Sequence, residues 1–198
     1  RAPELGPRIL FFTGGSALKE TSRVLKRYTH RSIHVMTPFD SGGSSAELRR
    51  TMGMLSVGDM RNRMMALADE SSLGNPHIRR LFSTRLQADA SQETLIERLQ
   101  AMVRGDDPLV RDVPKPMMRP IRTFLQVFLD RMASDFDLRQ ANLGNLILGG
   151  GYCQYEGDMD SVVALFSQLV EARGVVLPVV NADLHLKAHL EDGTTIAG

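Results

Sequence analysis

Phe39-Asp40-Ser41-Gly42-Gly43-Ser44-Ser45-Ala46-Glu47-Leu48-Arg49 is the stretch whose reading decides the fold of this chain. An acid closes an apolar run, a Gly-Gly-Ser-Ser loop follows, and an amphipathic helix begins. Paired glycines let a backbone approach a ligand closely and turn its N–H groups outward. Ser44 and Glu47 have the spacing of a capping box, which predicts a helix N-terminus directly behind the loop. Such a terminus carries roughly +0.5 charge and unpaired donors, which suits phosphate or carboxylate. The plain alternative is a tight turn and a capped helix, with no ligand at all.

Working upstream, Arg8 to Phe12 is a short apolar run backed by the loop Thr13-Gly14-Gly15-Ser16. Leu18, Ser22 and Leu25 then share one helical face, and Ser32 to Met36 reads as a second strand ending at Pro38 and Asp40. Strand, glycine loop, helix, strand is the opening of a doubly wound parallel sheet. Ligands of such sheets bind beyond the carboxyl ends of the strands, the edge where both glycine loops fall.

Downstream, the pattern turns helical. Glu47 to Leu55 predicts one short helix, and Asp59 is placed to cap the next, in which Met64 and Met65 read as core filler. Leu95, Leu99, Met102 and Val103 mark another helix, and Ile121 through Met132 follow the helical period over Pro120 to Met132. Gly105-Asp106-Asp107-Pro108 and Pro114-Lys115-Pro116 read as a surface connection, and Asp106-Asp107 as a solvated loop more than a cation site. Asn142 to Leu148 opens a helix whose Gly149-Gly150-Gly151 allows very close packing. Met159 to Val170 is amphipathic, with Gly174 as its C′ residue. Val175 to Val180 returns to strand character, and Glu191-Asp192-Gly193-Thr194 is a hairpin turn after the alternating run Leu184 to Leu190.

The expected class is therefore α/β: a Rossmann-like parallel sheet with a helical insertion over roughly residues 70–140 and a C-terminal antiparallel hairpin. Residues 1–198 are read as a single domain, since 198 residues build one sizeable core and two would be a stretch. Beginning at Arg1 and stopping in an apparent strand, the chain is expected to be incomplete at its C-terminus. The net charge of +1, from 24 basic and 23 acidic residues, argues against nucleic acid or an anionic membrane as partner. Basic clusters such as Arg49-Arg50 and Arg61/Arg63 matter only if they converge in space. The lone Cys153 excludes an intrachain disulfide and a cysteine-based zinc site, and no apolar run is long enough to span a membrane. A cytoplasmic setting is expected.

Four loops join glycine to polar side chains at expected helix starts: Thr13 to Ser16, Asp40 to Ser45, Val57-Gly58-Asp59-Met60-Arg61-Asn62, and Asn142-Leu143-Gly144-Asn145. Arg61 supplies a planar fork for phosphate, and Asn62 and Asn145 supply amide donors and acceptors. Asp40 and Asp59 have the chemistry to hold Mg²⁺ against phosphate oxygens, although Asp59 serves equally well as a cap. No P-loop signature occurs, and Gly14-Gly15-Ser16-Ala17 lacks the spacing of the dinucleotide fingerprint. Asp40 nonetheless sits where a ribose-binding acid would fall, so a dinucleotide-binding dehydrogenase is the generic rival. That rival leaves Gly58 to Asn62 unexplained.

In these segments the chain resembles the 2-phospho-L-lactate transferase (CofD-like) family, including its gluconeogenesis-factor branch. The resemblance rests on Thr13-Gly14-Gly15, on Asp40 to Ser45 with Leu48-Arg49, and on Gly58 to Asn62. It continues through Leu81-Phe82 with Arg85, Leu143-Gly144-Asn145-Leu146, Gly174 to Pro178 and Glu191 to Thr194. It implies a nucleotide-dependent transferase that passes a 2-phospholactyl group to a deazaflavin with Mg²⁺. The alternative branch implies a non-catalytic regulatory protein that binds a UDP-sugar. In either case Thr13, Gly14, Gly15, Gly42, Gly43, Ser44 and Ser45 would cradle phosphate. Arg61, Asn62 and Asn145 would contact the ligand; in the transferase branch Asp40 and Asp59 would be the catalytic pair, and Asp40 the metal ligand. A homo-oligomer is compatible with both. Three departures bear on activity: Ser41 stands where the family often has a second acid, Gln140-Ala141 replace a Gly-His pair, and the later glycine-proline-glycine-serine motif is absent.

Overall fold

In the computed structural model, which describes residues 2–40 and 42–197, a strand–helix–strand unit opens the sheet. Strand β1 (Ile9–Thr13) leads through α1 (Lys19–Leu25) to β2 (Ser32–Met36), which pairs with it in parallel, Ile9 opposite Ser32 and Thr13 opposite Met36. The next strand, β3 (Val175–Pro178), pairs parallel with β2 on its other side, Ile33 opposite Val175. The order is therefore β1-β2-β3, wound in one direction without a reversal among the described residues.

Between β2 and β3 the described chain is helical. The elements are α2 (Gly43–Met52), α3 (Gly58–Leu67), α4 (Pro76–Ser83), α5 (Gln92–Arg104), α6 (Pro108–Arg111), α7 (Lys115–Arg131), α8 (Leu143–Gln154) and α9 (Met159–Leu169). A small antiparallel hairpin, β4 (Lys187–His189) with β5 (Thr195–Ala197), follows β3, and its turn places Gly193 at φ +84°. No described helix is long and apolar enough to cross a membrane.

The core lies among the helices and against one face of the sheet. Leu48, Met60, Met64, Phe82, Leu99, Phe128, Leu146 and Val162 are all buried in it. Helix α8 runs through the middle because its three glycines remove the side chains that would keep neighbours away. A Cβ on Gly150 would overlap the Phe124 carbonyl oxygen of α7, one on Gly149 would meet Leu48, and one on Gly151 would meet Val162. The opposite sheet face carries Leu10, Phe12, Val175 and Leu177, apolar yet largely exposed, with Phe12 at 76%. A fully doubly wound sheet covers both faces; the described helices cover one.

Several local expectations are corrected. Helix α2 starts at Gly43, four residues before Glu47, with Gly42 as its N-cap and no side-chain cap bond. The capping box therefore does not form: Ser44 turns its hydroxyl toward Asn142 and Asn145, and Glu47 pairs with Arg50. Asp59 lies inside the first turn of α3, whose N-cap is Val57, so it does not cap that helix. Helix α7 begins at Lys115 and continues through Pro120. Proline is tolerated in a first turn, where its missing N–H has no partner to lose, so Pro116 starts the helix that it was expected to precede. Pro120, one turn further in, gives up one backbone bond, and the apolar face of Ile121, Phe124, Leu125 and Phe128 holds the helix across it. Helix α9 ends before Glu171, which adopts φ +52°, so Gly174 is not its C′ residue. Gly174 instead permits close approach to β2: a Cβ there would stand 2.7 Å from Ser32 Oγ.

Candidate functional site

Glycines and short polar residues bring the four loops to one rim. The first loop leaves the carboxyl end of β1 beside the end of β2, where Thr37 N donates to Thr13 O at 3.1 Å. A side chain on Gly14 would collide with Thr37 Oγ1, so this approach requires glycine. Gly15 has φ +59° with open space around it, and its N–H donates to Asp59 Oδ2 at 2.9 Å. The expectation of an outward-turned amide is thus modified, because a carboxylate of the protein already occupies that donor.

The second loop meets the third at Gly58. A Cβ there would stand 2.5 Å from Ser45 Oγ and 3.1 Å from Asp40 Oδ2, so only glycine lets the start of α3 lie against Asp40 and Ser45. Asp40 Oδ1 accepts from Gly42 N at 3.0 Å, which shapes the turn into α2. Gly43, at φ +52° with nothing near its Cβ, begins the helix and stays exposed. As first-turn amides, those of Gly43 and Ser44 have no intrahelical acceptor.

The fourth loop closes the set. Asn142 caps α8 by accepting from Asn145 N at 3.2 Å. Asn145 Nδ2 donates to Ser44 Oγ at 3.0 Å and reaches Ser45 Oγ at 3.4 Å, and its Oδ1 accepts from Arg61 Nε at 2.8 Å. One amide side chain therefore joins the second loop to the third.

Arg61 is 7% exposed, with burial and then the charge of Arg85 bringing its pKa down to about 10. Burial raises the carboxyl of Asp59, and the nearby Asp40 charge raises it further; the Gly15 N–H, Arg63 and Arg61 oppose both. Asp59 thus lies half-buried within electrostatic reach of a second carboxylate. The two form no larger cluster of ligating residues among those described.

Two expected residues stand apart from this arrangement. Thr13 turns its hydroxyl inward, donating to Met36 Sδ at 2.8 Å and accepting from Arg63 at 3.3 Å. Asn62 is half-buried and, among the described residues, makes no side-chain hydrogen bond to the other loops. Ser41 lies outside the described residues.

Two arginines carry structural weight that the loop motifs alone did not assign. Arg63, fully buried on α3, donates to Leu18 O at 2.7 Å and to Ala17 O, Ser22 Oγ and Thr13 Oγ1. It fixes the first loop, including Leu18 at the unusual φ of +60°. Its spacing of four from Asp59 puts both on one helical face, so α3 grips the first loop with an acid and a base together. Arg49 reaches back to Phe39 O at 3.1 Å and Asp40 O at 3.4 Å and forward to Asp183 at 2.8 Å and Leu184 O at 2.8 Å. It ties the second loop to the segment after β3. A hollow of about 230 Å³ between Ala46, Arg49, Asp183 and His185 opens there.

Glycine turns, first-turn amides, a buried arginine and a carboxylate pair gathered at the carboxyl edge of a parallel sheet define an α/β protein of the glycine-loop type. The chain belongs to the 2-phospho-L-lactate transferase CofD family, whose model matches residues 9–198. It is 30% identical over 193 residues to a putative gluconeogenesis factor of Nostoc, covering 98% of this chain and 31% of that protein. It is 29% identical over 192 residues to a gluconeogenesis factor of Bacillus subtilis, covering 97% and 44%. The chain thus spans less than half the length of these relatives. Its fold matches a crystal structure of a UPF0052-family protein from Bacillus halodurans with TM-score 0.65 at 24% identity, covering 98% of this chain and 46% of that one.

Proposed function

We propose that this rim binds the phosphates of a nucleotide-linked ligand, with a UDP-sugar as the ligand and regulation as the role. The observation that carries the reading is the hydrogen-bonded interlock of four distant segments: Gly15 with Asp59, Asn145 with both Ser44 and Arg61, and Gly58 against Asp40. Four segments held so tightly at one sheet edge pre-organise donors for a single anionic guest. The regulatory role draws support from the names of the Nostoc and Bacillus subtilis relatives. A cytoplasmic setting, without membrane or nucleic-acid partners, goes with this reading.

A second reading, phosphoryl-linked group transfer to a deazaflavin acceptor, is favoured by the carboxylate pair. Asp40 and Asp59 fit Mg²⁺: both are hard oxygen donors, close enough for one charge to raise the other's pKa. Asp40 and Asp59 would hold the ion, which when bound neutralises charge building on phosphate oxygens. Transfer would then rest on positioning and charge stabilisation by Arg61 and the loop amides, without a covalent nucleophile.

Thermal-shift titration of the full-length protein with UDP-sugars, GDP, NAD and deazaflavin, each with and without Mg²⁺, tests both. Stabilisation by a UDP-sugar without turnover supports the regulatory reading. Joint stabilisation by GDP and deazaflavin supports transfer. A response to NAD alone overturns both and returns the dehydrogenase.

A further inference from the structure

Away from the glycine loops, α7 carries a second feature that the nucleotide reading does not use. A cleft of about 600 Å³ lies along it, with Val103, Met118 and Val127 as its apolar part and Lys115, Arg119 and Arg122 as its charged part. The three cations fall at i, i+4 and i+7, on successive turns of one helical face. None of them makes an ion pair with a carboxylate among the described residues. Three acids close to this segment in sequence have other partners: Asp106 with Arg104, Asp107 with Arg98, and Asp130 with the Gln126 amide. Arg122 is oriented by a bond from its Nε to Val103 O, which leaves its terminal nitrogens for another partner.

This arrangement opposes the stability of the helix that bears it. Like charges on adjacent turns repel, and Lys115, in the first turn, faces the positive end of the helix dipole. The chain as a whole is nearly neutral at +1, so the cluster does not follow from composition. An anion seated in the cleft would relieve both penalties at once. The volume is that of a small-molecule site, and the apolar wall calls for more than a bare inorganic ion.

We propose that the cleft on α7 is a binding site for an amphiphilic anion, a phosphate or carboxylate head on an apolar body, separate from the glycine-loop rim. The head would lie on Lys115, Arg119 and the free nitrogens of Arg122, and the body along Met118, Val103 and Val127.

The test titrates the full-length protein with octyl phosphate below its micelle concentration, and in parallel with inorganic phosphate and octyl glucoside. Binding is followed by backbone amide shifts and calorimetry. Octyl phosphate is expected to bind at least tenfold more tightly than either control and to shift amides at 103 and 115–127. Lys115→Gln with Arg119→Gln should weaken it at least tenfold while melting no lower than wild type, and Arg119→Lys with Lys115 intact should retain most of the affinity. Unchanged affinity in the double variant overturns the proposal, as do shifts confined to other regions or equal binding of octyl glucoside.

Discussion

The backbone N–H of Gly15 and the carboxylate of Asp59, 44 residues apart in sequence, meet at 2.9 Å and join the loop after β1 to the first turn of α3. This contact engages the Gly15 N–H with a carboxylate of the protein itself, and Asp40 is close enough to raise the pKa of Asp59. Removing the Asp40 charge should therefore let Asp59 ionise at lower pH, an effect read by carboxyl ¹³C shifts in Asp40→Asn. The same variant should weaken Mg²⁺-dependent nucleotide binding about tenfold, equivalent to about 1.4 kcal/mol. An unchanged affinity removes Asp40 from the site.

Arg63 should matter to the same loop without touching a ligand. Its guanidinium satisfies two carbonyls and two hydroxyls in a place with almost no solvent. Arg63→Met leaves the Ala17 carbonyl without its donor, while Leu18 O keeps Ser22 N and Oγ and the Thr13 and Ser22 hydroxyls keep Met36 Sδ and Leu18 O; it should cost about 1–3 kcal/mol of stability, the range for one orphaned buried polar group. Arg63→Lys should recover less than half of the loss, because an ammonium cannot span the planar fork. Urea unfolding of the three proteins measures both, and a loss below 1 kcal/mol for Arg63→Met would show that the loop holds itself.

The glycines separate by what surrounds them. Gly150 in α8 has the Phe124 carbonyl where its Cβ would be, and neither helix can move away without opening the core. Gly150→Ala should cost about 3 kcal/mol or more. Gly53 ends α2 at φ +59° with open space around it, so Gly53→Ala should cost only the left-handed conformation, about 1 kcal/mol. Denaturant midpoints that rank the two the other way would contradict the close packing of α7 on α8.

Much of the frame was legible because it is local. Short apolar runs marked β1, β2 and β3, the 3.6 period marked the apolar face of α7, and glycines marked the loops. What escaped was set by distant partners. Ser44 looks like a capping serine until Asn145, 101 residues later, takes its hydroxyl. Arg63 looks like a surface charge, because arginine is seldom fully buried without several acceptors, and those acceptors belong to a loop 41–50 residues upstream. The Asp59–Arg63 spacing of four was the available clue. Sheet order was also out of reach: nothing local places β3 beside β2, since 138 residues of mostly helical chain lie between Met36 and Val175.

Two buried titratable groups give the fold separate pH windows. His34, 1% exposed and stacked on Phe11, has its pKa lowered to about 4, first by burial and then by the Arg63 charge. The unfolded chain takes up this proton near 6.5 and the folded one does not, so stability should fall as pH drops from 6.5 to 4. Burial alone would raise Asp69, but the Ser71 backbone N–H, Arg173 and the Ser71 hydroxyl hold its carboxyl down to about 2. That group contributes stability above 3.8, which should be lost as pH falls from 3.8 to 2. Melting curves from pH 8 to 2 should thus decline in two stages. His34→Phe should flatten the upper stage and leave the lower, and Asp69→Asn should do the reverse; a single stage insensitive to His34→Phe would mean that the imidazole is protonated in the folded protein.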